Sequence, residues 1–79
     1  MNNKREQSRW IKIFRAPNEV EASLLKGYLE SKGIKANVIP DTTSAFMGRY
    51  AGTRPATLPH YLFVEEGKAE EAKELLESL

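Results

Sequence analysis

Apolar and polar residues recur along this chain with two different periods, and the changes of period mark its elements. Trp10-Ile11-Lys12-Ile13-Phe14-Arg15 is rich in β-branched and aromatic side chains and predicts a first strand. Ala16-Pro17-Asn18 interrupts it. Asn18 is a strong helix N-cap, and Glu21 three residues later completes the spacing of a capping box. Val20, Leu24, Leu25, Tyr28 and Leu29 then follow helical spacing, which predicts an amphipathic helix over residues 19–32, stopped by Gly33. Ile34 to Ile39 alternates with period two and predicts a second strand. Pro40, Gly48, Gly52, Pro55 and Pro59 leave no room for a regular element over residues 40–59. His60 to Glu65 predicts a third strand. After Gly67, the spacing of Ala69, Ala72, Leu75, Leu76 and Leu79 predicts a second helix, with Glu70 and Glu71 favourably placed in its first turns.

The order β-α-β-β-α constrains the fold. A strand-helix-strand unit crosses over right-handed and leaves its strands parallel. Each helix has one apolar stripe, so both are expected on one face of the sheet. The third strand then fits between the first two, antiparallel to each. The expectation is an α+β, ferredoxin-like domain with a three-stranded sheet in order 1-3-2, and an unpaired outer edge on the first strand. Alternation places Ile11, Ile13, Ala36, Val38, Leu62 and Val64 toward the helices. The opposite face then shows Trp10, Lys12, Phe14, Asn37, Ile39, Tyr61 and Phe63. Four aromatics on an uncovered face are the main functional clue, because large exposed apolar patches mark binding surfaces.

Seventy-nine residues, 41% hydrophobic and 29% charged, are enough for one small core and no more. Residues 1–9 read as a flexible tail and residues 10–79 as a single domain with its long loop at 40–59. Such a short chain is marginal alone and inclined to find a partner. A formal net charge of +1 argues against a polyanion binder driven by bulk charge, although Lys4, Arg5, Arg9, Lys12 and Arg15 make the start of the chain basic. Six glutamates make residues 61–79 acidic. A solvated tail and an ordinary acidic helix face explain both. The absence of cysteine excludes disulfides, thiolate catalysis and cysteine-built zinc sites. No apolar run follows Met1 and no stretch approaches the ~20 apolar residues of a membrane span, so the expected location is the cytoplasm.

Ala16-Pro17-Asn18, Glu21-Ala22, Leu24-Leu25-Lys26, Leu29-Glu30 and Gly33-Ile34, with Val64 and Ala72…Leu75-Leu76 later, resemble a small bacterial family of unknown function. That family is known as "putative prokaryotic signal-transducing proteins". The resemblance covers roughly residues 10–79. It implies a fold similar to the PII-like branch of ferredoxin-like proteins, in which a long loop follows the second strand. It does not extend to PII chemistry. No nucleotide-binding glycine motif has a counterpart here, and nothing around Tyr50 matches a modified loop tyrosine. The matching positions are mostly caps and core residues, which speak for fold more than function.

Little in the chain points to catalysis. His60, Asp41 and Ser44 are the residue types of a nucleophile-base-orienter set, but no spacing links them, and His60 reads as an ordinary residue at a strand edge. Paired carboxylates occur only as Glu65-Glu66 and on the last helix, where Glu70-Lys73 spacing indicates a solvated face. A metal site would have to join His60 to distant carboxylates. Glu21 falls within the apolar stripe by angle, and the capping box accounts for it. In the loop, Met47 to Arg54 combines glycine freedom with two cations, Arg49 and Arg54, and could wrap an anion, though it lacks P-loop spacing. RNA-recognition modules stack bases on the equivalent open sheet. Tyr61, Phe63 and Val64 fit their third-strand signature, whereas Pro59, His60, Leu62 and Glu66 miss its basic, glycine, small and final aromatic positions.

The resulting expectation is a non-enzymatic regulatory or interaction module without a cofactor or metal. It is expected to be homodimeric and to bind a small ligand or a partner protein. The surface would comprise Trp10, Lys12, Phe14, Tyr61 and Phe63 on the sheet with Arg49, Tyr50 and Arg54 in the loop. Weak single-stranded RNA binding through Trp10, Phe14, Tyr61 and Phe63 is the alternative. Either a second subunit or the loop, through Ala45, Phe46, Met47 and Leu58, is expected to cover the aromatic face.

Overall fold

The computed structural model describes residues 9–42 and 57–79. In chain order they form β1 (Trp10–Ala16), α1 (Glu19–Ser31), β2 (Ala36–Pro40), β3 (His60–Glu65), a 3₁₀ turn (Glu66–Lys68) and α2 (Ala69–Glu77). The strands make one sheet in the order β1-β3-β2, and β3 is antiparallel to both neighbours. This is the expected α+β, ferredoxin-like arrangement.

The ends of α1 show how local sequence sets the boundaries. Asn18 has an extended backbone (φ −158°, ψ 175°), and its Oδ1 accepts the Glu21 N–H at 2.9 Å. At the other end Gly33 takes φ +87°, the left-handed conformation that glycine tolerates best. The Gly33 N–H donates to Glu30 O at 3.0 Å and the Ile34 N–H to Leu29 O at 3.0 Å, the two bonds of a Schellman motif. This explains why β2 starts two residues later than the alternation predicts: the Ile34 amide closes the helix instead of entering a ladder. At its far end β2 runs on to Pro40. β2 is an edge strand, so the missing proline N–H leaves no central ladder bond broken.

Leu29, Ile34, Ala36, Leu62, Val64, Ala69 and Ala72 form the buried core. Ile11, Ile13, Leu25, Tyr28, Val38, Leu75 and Leu76 pack around it. Both helices therefore use the same face of the sheet, as their single stripes predict. The six side chains expected to face the helices all do so.

Phe14 departs from the expectation. The register pairs Lys12 with Phe63 but Phe14 with Leu62, so Ile13 is the extra residue of a β-bulge. Residues directly opposite in an antiparallel pair share a face. Phe14 thus lies on the side of Leu62, not on the open face, and Arg15, opposite Tyr61, takes the place expected for it. A bulge combined with Lys12 and Arg15 also guards the outer edge of β1 against strand addition.

Candidate functional site

β3 presents Tyr61, Phe63 and Glu65 away from the core, and each is half-buried. Their partners on β1 are Arg15, Lys12 and Trp10, while on β2 Ile39 lies opposite Tyr61 and Asn37 opposite Phe63. No described helix packs on this face. It has two different ends. At one, Trp10 is 39% exposed and lies in register with Glu65, next to the Lys12-Phe63 pair. This end is mainly apolar.

The other end is polar and organised around one ring. The Lys12 ammonium sits 4.3 Å from the Tyr61 ring centroid, within cation–π range, and the Arg15 guanidinium carbon lies 6.0 Å from it. The Tyr61 hydroxyl donates to Asp41 Oδ2 at 3.1 Å, and Arg15 Nη2 approaches the same oxygen at 3.9 Å. Asp41 is buried, at the point where β2 ends, and its own N–H donates to Pro59 O at 2.8 Å. A fixed carboxylate therefore orients the phenol, and the phenol supports a lysine. Lys12, Ile13, Phe14, Arg15 and Tyr61 line a shallow hollow of about 400 Å³ beside this group.

Of the residues singled out from sequence, the open face brings together Trp10, Lys12, Tyr61 and Phe63. Phe14 pairs with Leu62 across the bulge and so borders both sides of the sheet at the β1 edge: it lines the hollow beside Lys12, Arg15 and Tyr61 and, with Ile13, Lys73, Leu76 and Glu77, a second hollow against α2. Arg49, Tyr50 and Arg54 lie outside the described residues, as do Ser44 and the loop residues 45–47. Sequence reasoning missed Arg15 and Asp41. Asp41 carried one usable signal, a lone aspartate immediately after the strand-ending Pro40. Arg15 carried none, because a bulge leaves no mark in a strand's alternation.

His60 and Asp41 are not joined. His60 is buried at the start of the central strand, not at an edge, and its ring Nδ1 lies 2.7 Å from Leu58 O, a carbonyl that can only accept, so Nδ1 is the donor. The Asp41 carboxylate faces Tyr61 and Arg15 instead. Glu21 is exposed, outside the buried stripe in which its angle placed it. Its amide is capped by Asn18, and the reciprocal bond from its carboxylate is absent. The Glu30 carboxyl group is held below its usual range mainly by a 2.9 Å hydrogen bond from Lys26. Among the described residues no three metal-ligating side chains come together, and no helix is long and apolar enough to cross a membrane.

No curated protein and no solved structure matches the chain. A family match covers residues 10–79, from the first residue of β1 through the end of α2, and so takes in every element that builds the open face. The chain belongs to the family described as "putative prokaryotic signal transducing protein".

Proposed function

We propose that this protein is a non-enzymatic regulatory module that acts by binding, and that the open face of its sheet is the recognition surface. The observation that carries this reading is the exposure of Trp10 next to the Lys12-Phe63 pair, on a face that neither helix uses. Burying one such side chain contributes roughly 1.5–3 kcal/mol, large for so small a domain. A second copy of the chain is the proposed covering of the apolar end, making the module a homodimer. Pairing through the β1 edge is disfavoured by its bulge and its two cations, which leaves the face itself as the contact.

RNA binding loses ground on the same geometry. With Phe14 shifted to the β1 edge by the bulge, the row of aromatics across the face is three in place of four, and Glu65 stands opposite Trp10 where a phosphate would be repelled. The test is a thermal-shift screen of small ligands and partner candidates, run beside titration of labelled oligonucleotides at low salt. Any ligand that prefers the folded state raises the melting temperature. The reading expects ligand-induced stabilisation that Phe63→Glu or a Lys12 variant abolishes, and no oligonucleotide signal. A stacking-dependent oligonucleotide signal would replace it with the RNA alternative.

A further inference from the structure

We propose that the polar end of the open face is a binding site for a small organic anion, a carboxylate or phosphate ester carrying an apolar group. This rests on the open face being the recognition surface, and it assigns a ligand chemistry to one end of it. Three observations converge. First, the Ile13 bulge turns Arg15 onto the same face as Lys12, so two cations flank one ring; regular alternation would have put them on opposite faces. Second, Lys12 is positioned over Tyr61 at 4.3 Å, and among the described residues no carboxylate pairs with it. Its ammonium is held in place without a counter-charge from any described residue. Third, these residues line a hollow of about 400 Å³, within the size range of small-molecule sites, whose remaining walls are Ile13 and Phe14.

The chemistry follows from this arrangement. Asp41 fixes the Tyr61 ring through its hydroxyl, and the Lys12 ammonium over that ring pairs with no described carboxylate. An anionic head group would take charge-assisted hydrogen bonds from the Lys12 ammonium and from guanidinium N–H groups of Arg15. An attached ring or alkyl group would lie against Ile13 and Phe14. Neutral analogues lack the first interaction and inorganic ions lack the second.

The test is a titration of the ¹⁵N-labelled full chain with phenyl phosphate, benzoate, inorganic phosphate and benzyl alcohol, following backbone amide shifts. The proposal expects saturable shifts centred on residues 12–15 and Tyr61 with phenyl phosphate or benzoate, at least about tenfold weaker binding of inorganic phosphate and benzyl alcohol, and weakening by added salt. Comparing the two aromatic anions decides between phosphate and carboxylate. Lys12→Met and Arg15→Gln should each weaken binding by about tenfold, while Val20→Ser, on the exposed surface of α1, should leave it within about threefold. Equal binding of benzyl alcohol, shifts centred elsewhere, or unchanged affinity in both cation variants would overturn the proposal. Anion binding is read from the amide shifts and self-association from sedimentation of the same samples, so loss of one and loss of the other are read separately.

Discussion

Replacing Tyr61 by phenylalanine removes one atom and tests whether the polar end is held together as described. The hydroxyl donates to Asp41 Oδ2 at 3.1 Å, and the Asp41 side chain is only 8% exposed. A hydrogen bond to a charged acceptor contributes about 1.5–3 kcal/mol. This one lies at the long end of the O–H···O range, and Tyr61 is only half-buried, so about 1–2 kcal/mol is expected. In a domain of this length each kcal/mol moves the melting temperature by roughly 4–8 °C. Tyr61→Phe should therefore melt roughly 4–16 °C lower, with a reduced urea midpoint and an unchanged slope. Asp41→Asn and the double variant complete a cycle in which the two changes couple by more than about 0.5 kcal/mol. Tyr28→Phe is the control and should stay within about 0.5 kcal/mol of wild type, because no described group hydrogen-bonds to that hydroxyl. Melting of Tyr61→Phe within about 1 °C of wild type, with no coupling to Asp41, would refute the reasoning.

The ends of α1 give three further expectations. Asn18→Ala should cost about 1 kcal/mol in chemical denaturation, through loss of the acceptor for the Glu21 amide, whereas Glu21→Gln should be neutral because its carboxylate makes no return bond. Gly33→Ala should cost roughly 1–2 kcal/mol from backbone strain alone, since an added Cβ at φ +87° meets no atom within 4 Å. A carboxylate lowered in the folded state, as Glu30 is by Lys26, contributes above its unfolded value and loses that contribution as pH falls through the folded one. Stability scans should thus show Glu30→Gln slightly less stable than wild type at neutral pH, with the gap closing as pH falls and a correspondingly shallower decline in acid.

The legible parts of this fold were those set by short-range chemistry. Asn18 and Gly33 announced the two ends of α1, and the alternation of Leu62 and Val64 placed β3 and its core face correctly. The order 1-3-2 followed from chain handedness and the single stripe on each helix. The parts that escaped depended on what lies opposite. Ile13 reads as one more inward apolar residue, and only pairing with Leu62 and Phe63 reveals that β1 has one residue too many there. That single residue exchanged Phe14 for Arg15 on the open face and changed a row of four aromatics into three aromatics with a basic end. Asp41 was visible as a rarity, but its partner Tyr61 lies 20 residues away and is reached only once β2 and β3 are side by side.

Sedimentation velocity of wild type beside Phe63→Glu, with Trp10 emission followed in the same samples, tests most directly whether the open face is where this protein meets its partner. Wild type is expected to sediment as a dimer with Trp10 shielded from a soluble quencher. Phe63→Glu should be a monomer with red-shifted, fully quenchable emission and a lower melting temperature that no longer depends on concentration. A monomeric wild type whose Trp10 is already fully quenchable, and a Phe63→Glu variant that melts unchanged, would contradict the role assigned to this face.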